Sequence, residues 1–224
     1  MKAASMIDPA ESIVVDVGDD PGYASRGAHK LLGALETFAL DVTGKRCLDA
    51  GASTGGFTDV LLRGGAAEVI AVDVGYGQMV WRLRDDERVT VLDRTNVRTL
   101  DLDTIGEPVE LVVADLSFIS LKLVIPALAG CVVPDSDLLL MVKPQFEVGR
   151  DALGSGGVVR DPQARARSVY EVACFAYDLG WGLAGVVASP LPGPSGNVEF
   201  FCWLRRDAPA PDRTRIDSAV EAGP

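Results

Sequence analysis

The chain has 224 residues, of which 48% are hydrophobic, with four cysteines, one histidine and a formal net charge of −11. These values indicate one medium domain with a large core, while the acidic balance excludes a global basic footprint for RNA or DNA and predicts weak nucleic-acid binding by the domain alone. The cysteines are scattered, which predicts buried thiols and no metal site. We find no signal peptide and no 18-residue apolar run, and therefore expect a cytoplasmic protein without membrane contact.

The chain begins with a polar stretch, residues 1–24, that contains one short β-like run at 12–17. We interpret this stretch as a linker or as the remnant of another domain. Ser25 follows and is suited to cap a helix through Lys30 to Leu40, because apolar side chains recur there at helical spacing.

A glycine-rich loop comes next, and the rest of the chain is organised around it. An apolar run leads into Asp49, glycines follow as Gly51, Gly55 and Gly56, and helical spacing resumes at Phe57. Glycine lets the backbone turn sharply and approach a ligand, while the start of the next helix adds unpaired N–H groups and a partial positive charge. The order strand, glycine turn, helix therefore predicts a site for an adenosine-containing cofactor.

The glycine spacing narrows the choice of cofactor. A dinucleotide site needs G-x-G-x-x-G, but Ser53 stands where its second glycine would be, which disfavours close approach to a pyrophosphate. The loop fits S-adenosylmethionine (SAM) better, because SAM has no diphosphate. Asp73 ends the next strand about 20 residues after Gly51, a position that suits hydrogen bonds to a ribose diol. A tight turn without any ligand is the alternative.

Strands and helices alternate through the remainder of the chain. Further strands are predicted at 69–74, 89–92, 111–114, 138–142, 183–189 and 198–204, and further helices at 78–84, 121–133 and 162–179. The glycine-rich residues 146–161 are predicted to form a mobile loop or lid that closes over the substrate.

This alternation predicts an α/β, Rossmann-like fold with a mostly parallel seven-stranded sheet. No helix separates the last two strands, so they must pair antiparallel, which is typical of a class I SAM-dependent methyltransferase rather than of a dehydrogenase. The predicted boundaries are 1–24 for the linker or remnant, 25–206 for the folded domain and 207–224 for a disordered tail.

Four predicted strands end in a polar residue, namely Asp49, Asp73, Asp115 and Lys143. In open α/β sheets, ligands and reacting groups gather at the carboxyl ends of the strands. We therefore expect these side chains at one edge of the sheet. Asn96, just past the third strand, is a candidate to bond an adenine edge, or else it caps a loop.

Lys143 has the features of a candidate base. It follows an apolar strand and precedes Pro144, which keeps its backbone extended, and lost solvation at such a place favours the neutral amine. Asp115 on the neighbouring strand would orient the amine, although a purely structural ion pair is the alternative. Spacing alone makes Lys30 and Glu199 solvated surface residues.

Six segments complete the pattern, and they occur in the order typical of one protein family. They are SRGAHK (25–30), LDAGASTGGFT (48–58), VDVGYGQ (72–78), ADLSFIS (114–120), VKPQFE (142–147) and GNVEF (196–200). Together they resemble the TlyA, or haemolysin A, family, whose catalytic domain is of the FtsJ-like ribose methyltransferase type. The resemblance covers about residues 23–206.

The resemblance implies an enzyme that uses SAM to methylate the 2′-hydroxyl of cytidine in ribosomal RNA of one or both subunits. It also implies a catalytic tetrad of Lys30, Asp115, Lys143 and Glu199. Lys143 would act as the base, the two acids would orient it or Lys30, and Lys30 would hold the 2′-oxygen or the adjoining phosphate. The implied cofactor residues are Asp49, Gly51, Ser53, Gly55, Gly56, Phe57, Thr58 and Asp73.

Family members usually begin with a small S4-type RNA-binding module, which we do not find in this sequence. In relatives, an aromatic-containing linker supports cofactor binding; Tyr23 would be that aromatic, but without a flanking arginine. A SAM-binding domain that is catalytically silent without its RNA module is therefore an alternative. Two others are disfavoured: a nicotinamide-dependent oxidoreductase by Ser53 and the final strand pair, and a membrane-active haemolysin because no spanning or basic amphipathic segment is present.

Overall fold

A seven-stranded sheet, in the order β3-β2-β1-β4-β5-β7-β6, forms the centre of this computed structural model. The structure describes residues 22–149, 153–193 and 196–223. The predicted linker or remnant at 1–24, including its β-like run, lies outside the described residues except for its last three. The strands are β1 (Arg46–Ala50), β2 (Glu68–Val72), β3 (Val89–Leu92), β4 (Val109–Ala114), β5 (Val132–Val142), β6 (Gly182–Ala188) and β7 (Phe200–Arg205).

The first five strands run parallel, and β7 pairs antiparallel with both β5 and β6. The predicted α/β sheet with its antiparallel strand pair is therefore confirmed. The central strands are buried on both faces, as expected for parallel strands covered by helices.

Helices cover both faces of the sheet and divide the core in two. The helices are α1 (Ala28–Phe38), α2 (Gly56–Arg63), α3 (Trp81–Arg84), α4 (Leu102–Ile105), α5 (Ile125–Gly130), α6 (Pro144–Glu147), α7 (Pro162–Asp178) and α8 (Arg213–Glu221). Leu48 and its neighbours pack beneath α5, α7 and α8, whereas Cys47, one residue earlier and on the other face, packs beneath α1 and α2. None of the helices in the described ranges is long and apolar enough to cross a bilayer.

The prediction of a disordered tail over 207–224 is wrong, because α8 lies in it. Asp212 caps this helix by accepting a hydrogen bond from the Thr214 amide at 2.8 Å. Ile216 is fully buried and Val220 nearly so, in the cluster beneath α7 and β6. The short apolar stripe is weak in a polar sequence, so only tertiary packing reveals the helix.

Two predicted helices differ from the observed ones at their ends. α1 begins at Ala28, because a turn joins the Ala28 amide to the Ser25 carbonyl at 3.2 Å and leaves Ser25 outside the helix. The helix predicted over 121–133 is shorter, since Val132 already pairs with Val109 at the start of β5.

The predicted mobile loop, 146–161, is in part firmly held. Its first two residues belong to α6, and near its end Val159 is buried with its amide bonded to Asn197 Oδ1 at 3.0 Å. Asn197 also donates to the Gly157 carbonyl at 3.1 Å. Residues 150–152 lie outside the described residues, so closure over a substrate stays a prediction.

Candidate active site

The strand register brings the predicted polar residues to one edge of the sheet. Ala50 pairs with Ala114 across β1 and β4, and Ala114 pairs with Leu140 across β4 and β5, so these strands end at a similar level. Val142 pairs antiparallel with Phe200, which places the start of β7 next to the end of β5. The residues just outside these ends are Asp115, Lys143 and Glu199.

A cavity of about 570 Å³ opens at this edge. Its lining includes five of the residues predicted from the sequence, namely Gly51, Ser53, Asp73, Asn96 and Asp115. A smaller cavity of about 230 Å³ adjoins it and adds Gly56 and Phe57 to the set, together with Ser25. The first volume is in the range of sites for cofactor-sized ligands.

Asp73 is the acid best placed to bind a diol in the larger cavity. Its Oδ2 accepts from the Ser53 amide at 2.9 Å and its Oδ1 from the Gly75 amide at 2.7 Å. Each carboxylate oxygen has two lone pairs, so both keep capacity for a ligand hydroxyl. Ser53 adopts a positive φ of 48°, which turns its amide toward this carboxylate.

Gly51 is required by a close approach between β1 and β4. It has a φ of 89°, and a Cβ at this position would lie 2.6 Å from the Asp115 carbonyl oxygen. Gly55 has a different role from the one predicted, because it does not line either cavity. A Cβ there would lie 2.5 Å from Leu83 Cδ1, so the lack of a side chain at Gly55 allows α3 to pack closely against the loop.

Asp49 and Thr58, both predicted to contact the cofactor, lie beneath the loop and line neither cavity, so their contact with a cofactor stays a prediction. Both are fully buried, and the Thr58 hydroxyl donates to Asp49 Oδ2 at 2.7 Å. Burial raises the pKa of Asp49 to about 7, against the lowering effect of this hydrogen bond. Asp49 Oδ1 is buried without a partner among the described residues.

Asn96 has the loop-capping role considered for it, and its contact with an adenine stays a prediction. Its side-chain oxygen accepts from the Arg98 amide at 3.0 Å and so caps a short 3-10 turn. Its amide nitrogen has no hydrogen-bond partner in the described part of the chain, and the residue lines the cavity. A donor is thus left for a ring nitrogen of an adenine.

Lys143 is buried and points at the loop that follows β4. Its Nζ forms an ion pair with Asp115 Oδ1 at 2.5 Å, without hydrogen-bond geometry, and donates a hydrogen bond to Ser117 Oγ at 3.0 Å. The lysine side chain is 7% exposed and that of Asp115 is 23% exposed. Sequence reasoning missed Ser117, although it lies in one of the six segments.

Lys30 and Glu199 form a second pair, which is more deeply buried. Lys30 Nζ lies 2.6 Å from Glu199 Oε2, and the Glu199 side chain is fully buried. Gln145 donates from Nε2 to the other oxygen, Oε1, at 3.3 Å. The spacing-based view of these two residues as solvated is wrong, because helix α1 carries Lys30 over the start of β7.

Gly193 allows Glu199 to occupy this position. A Cβ on Gly193 would lie 2.2 Å from Glu199 Oε1, inside any possible contact distance. No local signal in the sequence around Gly193 marks its contact with a buried carboxylate.

The segment before α1 is anchored beside the glycine loop. Asp59, on α2, accepts from the Ala24 amide at 2.8 Å and from Arg82 at 3.1 Å, and Arg63 donates to it at 2.9 Å. The Arg63 guanidinium also stacks on the Tyr23 ring, 4.3 Å from its centroid. Tyr23, the aromatic residue of this segment, is thus in contact with an arginine that is distant from it in the sequence.

Comparison with known proteins gives results that agree with this geometry. The FtsJ-like methyltransferase family matches residues 23–206. The chain is 61% identical to the 16S/23S rRNA (cytidine-2′-O)-methyltransferase TlyA of Mycobacterium tuberculosis over 99% of its own length and 80% of that protein. It is 38% identical to the 23S rRNA (cytidine-2′-O)-methyltransferase TlyA of Campylobacter jejuni, over 81% of its length and 70% of the relative.

A solved structure from Streptococcus thermophilus, of a protein that has been called a hemolysin, has the same fold. It superposes with a TM-score of 0.86 at 42% sequence identity and covers 91% of this chain and 75% of its own. The family match and the identity to these relatives lead to one conclusion: the chain belongs to the FtsJ-like methyltransferase family, and within it to the TlyA group.

Proposed function

We propose that the chain transfers the methyl group of SAM to the 2′-hydroxyl of a cytidine in ribosomal RNA. The observation that carries this proposal is the pair of buried lysine–carboxylate contacts at the carboxyl edge of the sheet. Asp115 belongs to one pair and also lines the cofactor-sized cavity, so a methyl donor in that cavity and the proposed lysine base would share this residue as a neighbour.

The residues of the larger cavity fit SAM. Asp73 would accept the ribose hydroxyls, Asn96 would donate to the adenine, and Gly51 leaves space for the methionine part against the loop. When bound, SAM supplies an electrophilic methyl group on a sulfonium and leaves as a neutral thioether. The chain must therefore mainly supply an aligned and deprotonated nucleophile.

Lys143 is the base in this proposal. A neutral amine has two N–H donors and one lone pair. Ser117 accepts from one of these donors, and Asp115 lies 2.5 Å from the nitrogen as an ion-pair partner, so the two contacts orient the amine. That lone pair would take the proton of the 2′-hydroxyl as its oxygen attacks the methyl group, a contribution of about 10²–10⁴-fold to the rate.

Lys30 would bind the substrate rather than move a proton. One of its three N–H donors goes to Glu199, and Gln145 fixes the second oxygen of that acid. The remaining donors are available to the 2′-oxygen or to the adjoining phosphate. Positioning of this kind lowers the barrier by at most roughly 7–11 kcal/mol.

The ribosomal substrate is proposed from the relatives and not from the charge of the chain. Both TlyA proteins are named for cytidine-2′-O-methylation, one on 16S and 23S rRNA and one on 23S rRNA. The net charge of −11 means that binding must rest on local contacts around the cavity mouth. Ribosomal RNA as substrate places the activity in the cytoplasm.

The test is transfer of radiolabelled methyl groups from SAM to isolated small and large ribosomal subunits. A 2′-O-methyl group blocks alkaline cleavage at its own phosphodiester, so the label must appear in alkali-resistant dinucleotides that contain cytidine. Label in mononucleotides would show methylation of a base and overturn the proposal.

Lys143→Ala tests the base. Methyl transfer should fall by about 10²–10⁴-fold, while the calorimetric Kd for SAM stays within about twofold. Lys45→Ala is the matched control, because it also breaks a lysine–carboxylate pair, 3.1 Å to Asp137, at the opposite end of the sheet. Near-normal transfer by Lys143→Ala, or loss of its SAM binding, would exclude this role.

A further inference from the structure

Two segments carry the proposed catalytic residues Asp115 and Lys143, and side-chain contacts connect these segments at two places. The first, residues 115–121, follows β4 and carries Asp115. The second, residues 143–147, follows β5 and carries Lys143 at its start. The Lys143 amine contacts Asp115 and Ser117 of the first segment, as described above.

Glu147 makes the second junction, at the far end of both segments. Its Oε2 accepts from the Ser120 hydroxyl at 2.6 Å and its Oε1 accepts from the Leu121 amide at 2.7 Å. Both carboxylate oxygens are thus used by one turn of the neighbouring segment. Ser120 in turn caps the following 3-10 turn through the Lys122 amide, at 3.2 Å.

Between these junctions lies a strained residue. Phe118 has a φ of 62°, a conformation that a bulky residue keeps only when its surroundings hold it. The residue is 90% exposed and lies at the rim of the larger cavity. The centroid of its ring lies 5.1 Å from the centroid of the Phe146 ring. The exposed ring offers little packing, so the hydrogen bonds at each end must hold the loop.

Stability alone gives no reason for a carboxylate at this place. Glu147 is half-buried, which is costly for a charge, and the two groups to which it is hydrogen-bonded are neutral. What the carboxylate provides is two short hydrogen bonds in fixed directions between the segments that carry the acid and the base.

We infer that Glu147 is a positioning residue, which fixes the Asp115 segment against Lys143 and so aligns the lysine amine with the 2′-hydroxyl. This inference rests on the proposed methyl transfer. Glu147 itself lines neither cavity that we assign to the cofactor, whereas residues 115–119 of the segment it holds line the larger one, so its loss should act mainly on turnover and less on the binding of SAM.

The test compares Glu147→Ala, Glu147→Gln and Asp137→Asn in the full chain. Glu147→Ala should lower kcat by about 10- to 100-fold, as expected for a misplaced catalytic group, with a much smaller change in the KM for SAM. Glu147→Gln should recover most of kcat, because its amide oxygen accepts from the Leu121 amide and its amide nitrogen donates to the Ser120 hydroxyl. Asp137→Asn controls for a buried carboxylate that bonds Trp203 and Lys45 at the other end of the sheet.

Hydrogen exchange of the Leu121 amide gives a readout that does not need activity. Faster exchange in Glu147→Ala, together with the selective fall in kcat, would support the inference. Unchanged kcat in Glu147→Ala, or equal losses in the alanine and glutamine variants, would overturn it. If the wild-type chain transfers no methyl group, the proposed function fails instead, and exchange at Leu121 alone then decides whether Glu147 holds the loop.

Discussion

Asp49 should make the stability of the ligand-free protein fall as the pH rises. A carboxyl group whose pKa is lowered by folding has the opposite effect. Burial raises the pKa of Asp49 in the folded state to about 7, compared with 3.8 for the ordinary side chain. Between about pH 4 and pH 7 the folded form keeps a proton that the unfolded form has lost. Stability from this group is therefore fully present below pH 4 and is lost as the pH rises to 7.

The size of this effect follows from the two pKa values. At ~1.36 kcal/mol per pH unit, the difference corresponds to about 4 kcal/mol, a large part of the ~5–15 kcal/mol that stabilises a typical domain. Asp49→Asn removes the titration but keeps an oxygen that can accept from the Thr58 hydroxyl. The free energy of unfolding of the variant, relative to that of the wild type, should therefore rise by about 4 kcal/mol between pH 4 and pH 8.

Urea denaturation followed by tryptophan fluorescence, at several pH values and without SAM, measures this difference. Thr58→Val is the complementary variant, because it removes the hydrogen bond that favours the ionised carboxyl group and should extend the loss of stability to higher pH. A difference between Asp49→Asn and wild type that stays constant from pH 4 to pH 8 would refute the reasoning.

Three further predictions concern contacts described above. Gly193→Ala should displace Glu199 and lower methyl transfer by about 100-fold or more, whereas Gly130→Ala, where a Cβ meets open space, should leave transfer unchanged. Asp59→Ala should cost about 2 kcal/mol and speed amide exchange in the segment before α1; unchanged exchange would show that the segment is held otherwise. Ile216→Ala should lower the free energy of unfolding by about 2–5 kcal/mol, and a loss below 0.5 kcal/mol would mean that α8 is not part of the core.

The sheet could be predicted because its signals are local. Apolar runs of strand length alternate with helical spacing, and the absence of a helix between the last two strands requires their antiparallel pairing. The positions of Asp73, Asp115 and Lys143 were also predictable, since each directly follows an apolar strand and parallel strands end at one edge. Their chemical roles stay predictions.

The rest of the site depends on contacts that no local pattern reveals. Lys30 and Glu199 are 169 residues apart and look like surface residues until α1 and β7 are packed together. Thr58 and Asp49 lie in the expected segment but are fully buried and bonded to each other, a contact that the glycine pattern does not reveal. Helix α8 has too few apolar residues for its burial to be visible in the sequence.

The position of β7 has a consequence for the time at which this enzyme becomes active during its synthesis. β7 is made last but lies between β5 and β6, so β6 has no strand partner until β7 emerges and inserts. Glu199 arrives with it, and at ~5–20 residues per second the ribosome needs roughly 10 to 30 s to proceed from Lys30 to Glu199. If these residues have the catalytic roles that we propose, a nascent chain that already holds Asp115 and Lys143 still lacks Glu199, and methyl transfer has to wait for the final strand.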